Sequence, residues 1–175
     1  MGGTARSAAA TVSAVACAAA ALAAVAGCTR GAGDSTRPAG EALVVGVVDG
    51  DTIDVDIAGS VERVRMIGID TPESVRPDSP VECFGPEASA RTGELLPAGS
   101  VVRLVRDVEA RDDYGRLLAY VYRAGDAMFV NLELVRGGYA VPFPFPPNVT
   151  FADDFVAAAR DAQAADLGLW AACGG

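Results

Sequence analysis

The chain has 175 residues, of which 23 are acidic and 14 are basic, and its formal net charge at pH 7 is −9. It contains no histidine and, since all 14 basic residues are arginines, no lysine, which excludes imidazole-dependent triads and zinc sites as well as Schiff-base and P-loop lysine chemistry. A protein that coats nucleic acid is usually basic, so the net charge argues against that class. It leaves room for a monomeric enzyme whose cations are confined to one cleft.

The first residues are typical of an export signal. Arg6 precedes an alanine-rich apolar stretch that ends with Val25-Ala26-Gly27-Cys28. Small residues before a cleavage site suit signal peptidase, and a cysteine directly after them is typical of a bacterial lipoprotein lipidated at that residue. We therefore predict a lipoprotein signal over 1–27. Plain secretion and a membrane-spanning helix are the alternatives, because about 20 apolar residues span a bilayer.

A linker and two further cysteines follow. Residues 28–40, which begin at the predicted lipidated Cys28, are rich in Gly, Ser, Thr and Arg and predict a flexible tether to a domain over 41–172. Cys17 is lost with the signal, so Cys83 and Cys173 remain downstream. An exported compartment is oxidising, which favours a disulfide between them over two unpaired thiols.

Five strands are predicted in the domain. Asp49-Gly50 is a strong hairpin-turn pair, and apolar residues alternate over 52–57 as in a strand with one buried face. The predicted strands are 43–48, 52–57, 61–69, 101–108 and 116–122.

Three helices are predicted among these strands. Pro86 suits the first turn of a helix, and Thr150 suits the N-cap of the last one. The predicted helices are 85–96, 131–137 and 150–167, and the proline-rich run 142–147 is interpreted as a stiff connector rather than a partner ligand. Together these elements predict an α+β, mainly β, fold: a five-stranded Greek-key barrel of the OB type with three helices. A generic α+β domain is the alternative.

Three short segments contain candidate catalytic groups. Asp51 lies in the first turn, Arg65, Asp70 and Glu73 lie at the end of the third strand, and Arg116 begins the fifth. Each segment alone is more typical of an ordinary turn or a solvated surface. Taken together, hard carboxylate oxygens suit Ca²⁺ or Mg²⁺, and guanidinium groups match phosphate oxygens. These are the components of phosphoryl transfer to water.

The order and spacing of these segments resemble the staphylococcal nuclease family over about residues 42–170. The matching motifs are Val48-Asp49-Gly50-Asp51-Thr52, Arg65 with Ile69-Asp70-Thr71-Pro72-Glu73, Gly85-Pro86-Glu87-Ala88, Tyr114-Gly115-Arg116 and Gly168-Leu169-Trp170. The resemblance implies an OB-type barrel and a Ca²⁺-dependent phosphodiesterase that acts on DNA and RNA and leaves 3′-phosphates.

The resemblance also implies roles for individual residues on the metal side. Asp51 and Asp70 would ligate calcium through their side chains, and Thr71 would do so through its main-chain carbonyl. Glu73 would act as the general base or position the attacking water.

On the substrate side, the resemblance implies that Arg65 and Arg116 bind the phosphate, with Arg116 assisting the leaving oxygen. Tyr114 would contact the nucleotide. Phe143 and Phe145 stand where relatives have tyrosines and would contact it as well.

Three further positions depart from the family pattern. Asp78, Ser79 and Asp113 stand where relatives have lysines, which predicts a weaker grip on substrate without loss of a catalytic group. The alternatives to an enzyme are a catalytically silent OB module that binds nucleic acid or protein and an oligosaccharide-binding OB domain. A silent module typically loses the arginines or the glutamate, so their presence favours the nuclease.

Overall fold

The computed structural model describes residues 40–75 and 80–174, all of which belong to one of the two units of the chain, Ala32–Gly175. The predicted signal 1–27 and residues 28–39 of the predicted linker, Cys28 among them, lie outside the described residues, as do Asp78 and Ser79. The structure therefore does not test the predicted signal, the lipidation of Cys28 or the effect of Asp78 and Ser79 on substrate binding. None of the helices described is long and apolar enough to cross a membrane.

Seven strands form two sheets within the described residues. They are β1 (Glu41–Asp49), β2 (Thr52–Ile57), β3 (Ser60–Met66), β4 (Gly68–Asp70), β5 (Val101–Val105), β6 (Leu117–Arg123) and β7 (Val141–Phe143). Five of them close a barrel in the order β1-β2-β3-β6-β5, and β4 pairs with β7. The pairs are antiparallel except for β3 with β6, which is parallel. The predicted five-stranded OB-type barrel is confirmed.

The helices of the described residues are α1 (Gly85–Leu95), α2 (Val130–Arg136), α3 (Ala152–Ala164) and α4 (Leu169–Ala172). The first two pack against barrel strands, and α3 packs against α2, β4 and β7. The three predicted helices are present, and the four-residue α4 was not predicted. In α3 the buried residues are Phe155, Ala158, Ala159 and Ala162, the three- and four-residue spacing of one helix face. Phe155, Ala158 and Ala159 of that face join the main hydrophobic core, which includes the buried residues of the barrel strands.

The predicted strand 61–69 is wrong as a single element, because it breaks at Ile67. Gly68 has a φ of +80°, and a Cβ there would overlap the ring of Phe155. Glycine permits both the left-handed backbone and the close approach. The chain therefore leaves the barrel here and continues as β4, which ends at Asp70.

Other predictions differ from the structure as well. The predicted strand 101–108 ends early, at Val105. The interpretation of 142–147 as a connector alone is incomplete, because its first residues belong to β7 and pair with β4. Thr150 is not the N-cap of the last helix: the cap is Phe151, with no side-chain hydrogen bond. The Thr150 hydroxyl instead donates to Asp107 Oδ1 at 2.9 Å.

The predicted disulfide is confirmed. Cys83 and Cys173 are bonded, with Cα atoms 5.9 Å apart and 90 residues between them in sequence. The bond joins the segment before α1 to the end of α4.

Candidate active site

The turn between β1 and β2 packs against the end of β4. A Cβ on Gly50 would lie 2.6 Å from the Thr71 hydroxyl, so glycine allows the two segments to touch. Asp51 beside it is only 5% exposed. Its Oδ2 accepts hydrogen bonds from the Thr71 main-chain N–H at 3.0 Å and from the Thr71 hydroxyl at 3.2 Å. Asp51 and Thr71, two of the three predicted metal ligands, are thus held beside each other.

Arg65 lies between the two predicted metal-binding carboxylates. Its Nη2 is 2.7 Å from Asp70 Oδ1 and 3.1 Å from Asp51 Oδ2. Its Nη1 donates to the carbonyl oxygens of Met66 at 2.6 Å and Ile69 at 2.9 Å. The arginine side chain is 15% exposed, so it is held mainly by protein groups.

Burial dominates the electrostatics of Asp51. It raises the pKa of this carboxyl to about 6, against the attraction of Arg65, and the neighbouring carboxylates Asp49 and Asp70 raise it further. A buried carboxyl with like-charged neighbours is stabilised by an added cation, since opposite charge favours the ionised form.

We tested the predicted calcium ligands against this arrangement. No cluster of three or more His, Cys, Asp or Glu side chains spaced for a metal occurs within 40–75 and 80–174. The predicted calcium ligands are two carboxylates and one main-chain carbonyl. Asp51 and Asp70 approach the same guanidinium nitrogen, and these hard oxygens are the donors that Ca²⁺ prefers. The residues therefore fit a hard divalent cation.

Glu73 lies just beyond β4, where both its side chain and its backbone are held. Its Oε1 accepts hydrogen bonds from the main-chain N–H groups of Ser74 at 3.1 Å and Val75 at 3.0 Å. Its own N–H donates to Glu82 Oε2 at 2.9 Å, and its carbonyl accepts the N–H of Glu82 at 2.9 Å. The candidate base thus belongs to a short segment tied to the residues before α1.

Arg116 is oriented by a carboxylate that the sequence analysis missed. Asp112 Oδ2 accepts from Arg116 Nε at 2.7 Å. Asp112 Oδ1 accepts the main-chain N–H groups of Tyr114 at 3.0 Å and Arg116 at 2.9 Å. An Asp at the first position of a tight turn was the available signal, because such side chains bond the backbone that follows them.

The sequence analysis also missed Arg111, the residue before this turn, whose side chain bonds to the turn. Its Nη1 donates to Glu62 Oε2 at 2.9 Å and to the Gly115 carbonyl at 2.6 Å. Glu62 belongs to β3, so Arg111 connects the turn that contains Tyr114 to the barrel wall.

A cavity of about 560 Å³ opens beside these groups. Its lining includes Arg65 and Arg116 together with Tyr114, Phe143 and Phe145. The three aromatic side chains are exposed, by 86%, 50% and 65% of their surface respectively. The structure thus brings all five predicted substrate-side residues to one cleft.

The predicted metal-side residues do not line that cavity. Asp51, Asp70, Thr71 and Glu73 are absent from its wall, and Arg65 is the residue that both touches the carboxylates and lines the cleft. The wall also contains three carboxylates, Glu109, Asp112 and Asp113. The arrangement can bind an anionic group at the guanidinium groups of Arg65 and Arg116, within a cleft whose wall also contains Arg111 and these three carboxylates.

The chain is similar to several known proteins over most of its length. The family model of staphylococcal nuclease homologues matches residues 63–172. The chain is 45% identical over 137 residues to a thermonuclease of Staphylococcus intermedius, covering 78% of this chain and 80% of that protein. It is 42% identical over 127 residues to a thermonuclease of Staphylococcus hyicus, covering 73% of each. It is 38% identical over 128 residues to endonuclease YncB of Bacillus subtilis, covering 73% of this chain and 60% of that protein.

Proposed function

Because the chain belongs to the staphylococcal nuclease family, we propose that it is a hydrolase that cleaves phosphodiester bonds in DNA and RNA. The observation that supports this most directly is the pair of guanidinium groups, Arg65 and Arg116, in one cleft rimmed by exposed aromatic rings. Planar guanidinium groups bind phosphate oxygens through paired hydrogen bonds. Its relatives named thermonuclease and endonuclease support the same reaction class.

We propose calcium as the metal. Asp51 and Asp70 would hold it with the Thr71 carbonyl. When bound, Ca²⁺ supplies positive charge to the phosphate oxygens. The burial of Asp51 among carboxylates supports the assignment, because an added cation relieves their repulsion.

Glu73 is the proposed general base. Its carboxylate would take a proton from a water molecule while the water oxygen attacks phosphorus. The bond from phosphorus to the 5′-oxygen then breaks, and that oxygen takes a proton from solvent and leaves as a hydroxyl while the phosphate stays on the 3′-oxygen. Glu73 returns its proton to solvent, so one water molecule is added across the bond. The N–H groups of Ser74 and Val75 fix one oxygen of Glu73, which supports a fixed orientation for proton transfer.

The two arginines have distinct proposed tasks. Arg116 would stabilise charge on the phosphate and the leaving oxygen, since it lines the cleft and the only side-chain nitrogen that Asp112 is shown to hold is Nε. Arg65 would bind phosphate oxygens on the metal side. A phosphate competes there with Asp70, whose side chain is half exposed.

The rings of Tyr114, Phe143 and Phe145 would stack on bases. Stacking contributes on the order of 1–3 kcal/mol per base and does not depend on sequence. Bases are open to stacking only when unpaired, so these rings favour single-stranded or locally melted substrate.

We further propose that the protein acts as a monomer outside the cytoplasm, attached to the membrane by a lipid on Cys28. A disulfide between Cys83 and Cys173 suits an oxidising compartment. Cys28→Ala is expected to move the protein from the membrane fraction to the soluble fraction. An unchanged membrane fraction would support a spanning leader instead.

The nuclease activity is tested with the full-length chain, single- and double-stranded oligonucleotides of DNA and RNA, and either Ca²⁺ or a chelator. We expect cleavage only with Ca²⁺, and we expect Glu73→Gln to lower kcat by about two to four orders of magnitude, the usual effect of a positioned base. Glu94→Gln, an exposed carboxylate on α1, is the matched control and keeps full activity.

Full activity in excess chelator contradicts the calcium assignment, and full activity of Glu73→Gln contradicts the base. Oligonucleotide binding without cleavage under every condition would favour the alternative, a silent OB-fold binding module.

A further inference from the structure

The disulfide lies one residue from the contact that holds the proposed base. Glu82, next to Cys83, accepts the N–H of Glu73 on its Oε2 at 2.9 Å. The N–H of Glu82 donates to the Glu73 carbonyl, also at 2.9 Å. The Glu73 backbone is therefore bonded on both its polar groups to a residue adjacent to the Cys83–Cys173 bond.

A close backbone approach reinforces this contact on the other side of Cys83. A Cβ on Gly85 would lie 2.5 Å from the Glu73 carbonyl oxygen and 3.2 Å from the Pro72 carbonyl oxygen. Only a residue without a side chain fits there. The start of α1 is thus packed against the peptide that carries Glu73.

Regular structure does not hold this segment. Between the end of β4 at Asp70 and the start of α1 at Gly85, the described residues form no strand and no helix. A connection of this kind keeps much of its conformational entropy unless its ends are fixed. Its described contacts with residues 82–85 therefore restrict Glu73, together with the 2.7 Å hydrogen bond between the hydroxyls of Ser74 and Ser89 of α1.

The far end of the disulfide is anchored in the helical part of the fold. Cys173 directly follows α4 as its C-cap, and its N–H donates to the Leu169 carbonyl at 2.9 Å. The N–H of Leu169 donates to the Gly138 carbonyl at 2.8 Å. Gly138 and Gly168 touch through their backbones, with no room for a Cβ on either. Cys173 is therefore fixed relative to the end of α2.

We propose that the Cys83–Cys173 disulfide is a positioning element for catalysis: it fixes residues 82–85 and, through them, the backbone and carboxylate of Glu73. The proposal rests on the function proposed above. Catalysis depends on placement because small displacements of a reacting group cost large factors in rate. Loss of the bond should lower kcat more than it raises KM, since the substrate-side arginines belong to β3 and to the turn before β6.

The test compares the full-length chain with its Cys83→Ala/Cys173→Ala double variant, under conditions where circular dichroism shows both to be folded. We expect kcat to fall at least about tenfold and KM to change less than about twofold. Hydrogen exchange of the Glu73 and Glu82 amides should accelerate at least about tenfold, while exchange in the barrel strands stays unchanged. Each tenfold change corresponds to about 1.4 kcal/mol.

The matched control is Val102→Ala, which removes buried volume from β5 without touching residues 73–85. It should destabilise the fold while leaving kcat and the two amides as they are. If the double variant does not fold, mild reduction of the native protein with a thiol reductant gives the same comparison, because both cysteines are exposed.

Unchanged exchange of the Glu73 and Glu82 amides after loss of the bond overturns the proposal, as does faster exchange with an unchanged kcat. Failure of the proposed function is a separate result: it appears as full activity of Glu73→Gln. In that case, the exchange measurement still decides whether the disulfide holds residue 73.

Discussion

At the scale of single residues, the placement of Arg116 depends on one aspartate. Asp112 accepts three hydrogen bonds, two from main-chain amides and one from the Arg116 side chain. Such a carboxylate shapes the turn and orients the cation at once. The comparable pair of Arg123 and Asp126 does not line the cavity described above, so it offers a natural control.

Arg116→Ala is expected to lower kcat by about two to three orders of magnitude, since it removes a charge that stabilises the transition state. Asp112→Asn keeps an oxygen for the two amides but loses the charged partner, and should lower kcat by about tenfold. Asp126→Asn should leave kcat unchanged. The measurement is steady-state kinetics on one oligonucleotide, and equal kcat values for Asp112→Asn and the unmodified protein would contradict the positioning role of Asp112.

Asp107 gives a prediction about acid stability. Burial alone would raise the pKa of this carboxyl, but hydrogen bonds from the Thr150 amide and hydroxyl and from the Tyr120 hydroxyl lower it below its ordinary value. A lowered pKa in the folded state adds stability above the unfolded pKa, near 3.8, and that stability is lost as pH falls through the folded pKa.

Asp107→Asn should therefore lower the free energy of unfolding at neutral pH and flatten its decline on acidification. Urea unfolding followed from pH 7 to pH 3 measures both. An acid limb as steep as that of the unmodified protein would show that other carboxyls are responsible.

At the scale of elements, the break between β3 and β4 decides where Asp70 lies. β3 belongs to the barrel, whereas β4 forms a separate two-stranded sheet with β7. The break requires the positive φ of Gly68 and the close approach of the Phe155 ring from α3. One glycine thus links the barrel, the last long helix and the proposed metal site.

Gly68→Ala should lower the free energy of unfolding by about 3 kcal/mol, about 1–2 for the left-handed backbone and the rest for overpacking. Gly59→Ala is the matched control: its φ is +88°, and a Cβ there meets nothing within 4 Å. Gly59→Ala should lower the free energy of unfolding only by the cost of a left-handed backbone, about 1–2 kcal/mol. Chemical denaturation measures the free energy of unfolding of both variants. Equal decreases would mean that the Phe155 ring leaves room for a Cβ at position 68.

At the scale of the whole molecule, charge limits the affinity for substrate. The chain has a net charge of −9, and the cleft combines Arg65, Arg111 and Arg116 with three carboxylates, of which Asp112 and Asp113 lie in the turn before Arg116. Arg111 already bonds Glu62 and the Gly115 carbonyl. About two cationic phosphate contacts are therefore expected, and each contributes somewhat less than one unit to the slope of log affinity against log salt.

We accordingly expect a high KM, a slope of about −2 or shallower, and tighter binding to single strands than to duplexes. The measurement is the affinity of Glu73→Gln for both kinds of oligonucleotide between low and moderate salt. A slope steeper than about −4 would reveal further basic contacts. Tighter binding to duplex would contradict the stacking argument.

The amino-acid sequence by itself determined the elements of the barrel and the helices around it. Alternating apolar residues, the turn pair Asp49-Gly50 and Pro86 in the first turn of α1 are local signals. Local signals predict an element correctly when contacts with distant parts of the chain favour the same conformation. The candidate site residues could also be named in advance, because the motifs that contain Asp51, Arg65 and Arg116 are short and ordered.

Only the tertiary structure decided how those pieces are arranged. It split the third predicted strand at Gly68, turned Thr150 from a helix cap into a partner of Asp107, and paired the proline-rich segment with β4. It also placed Glu73 against Glu82 beside the disulfide. Each outcome depends on groups distant along the chain, such as Phe155 and Cys173. Local propensity contributes less free energy than the packing and hydrogen bonds that form only when distant segments meet.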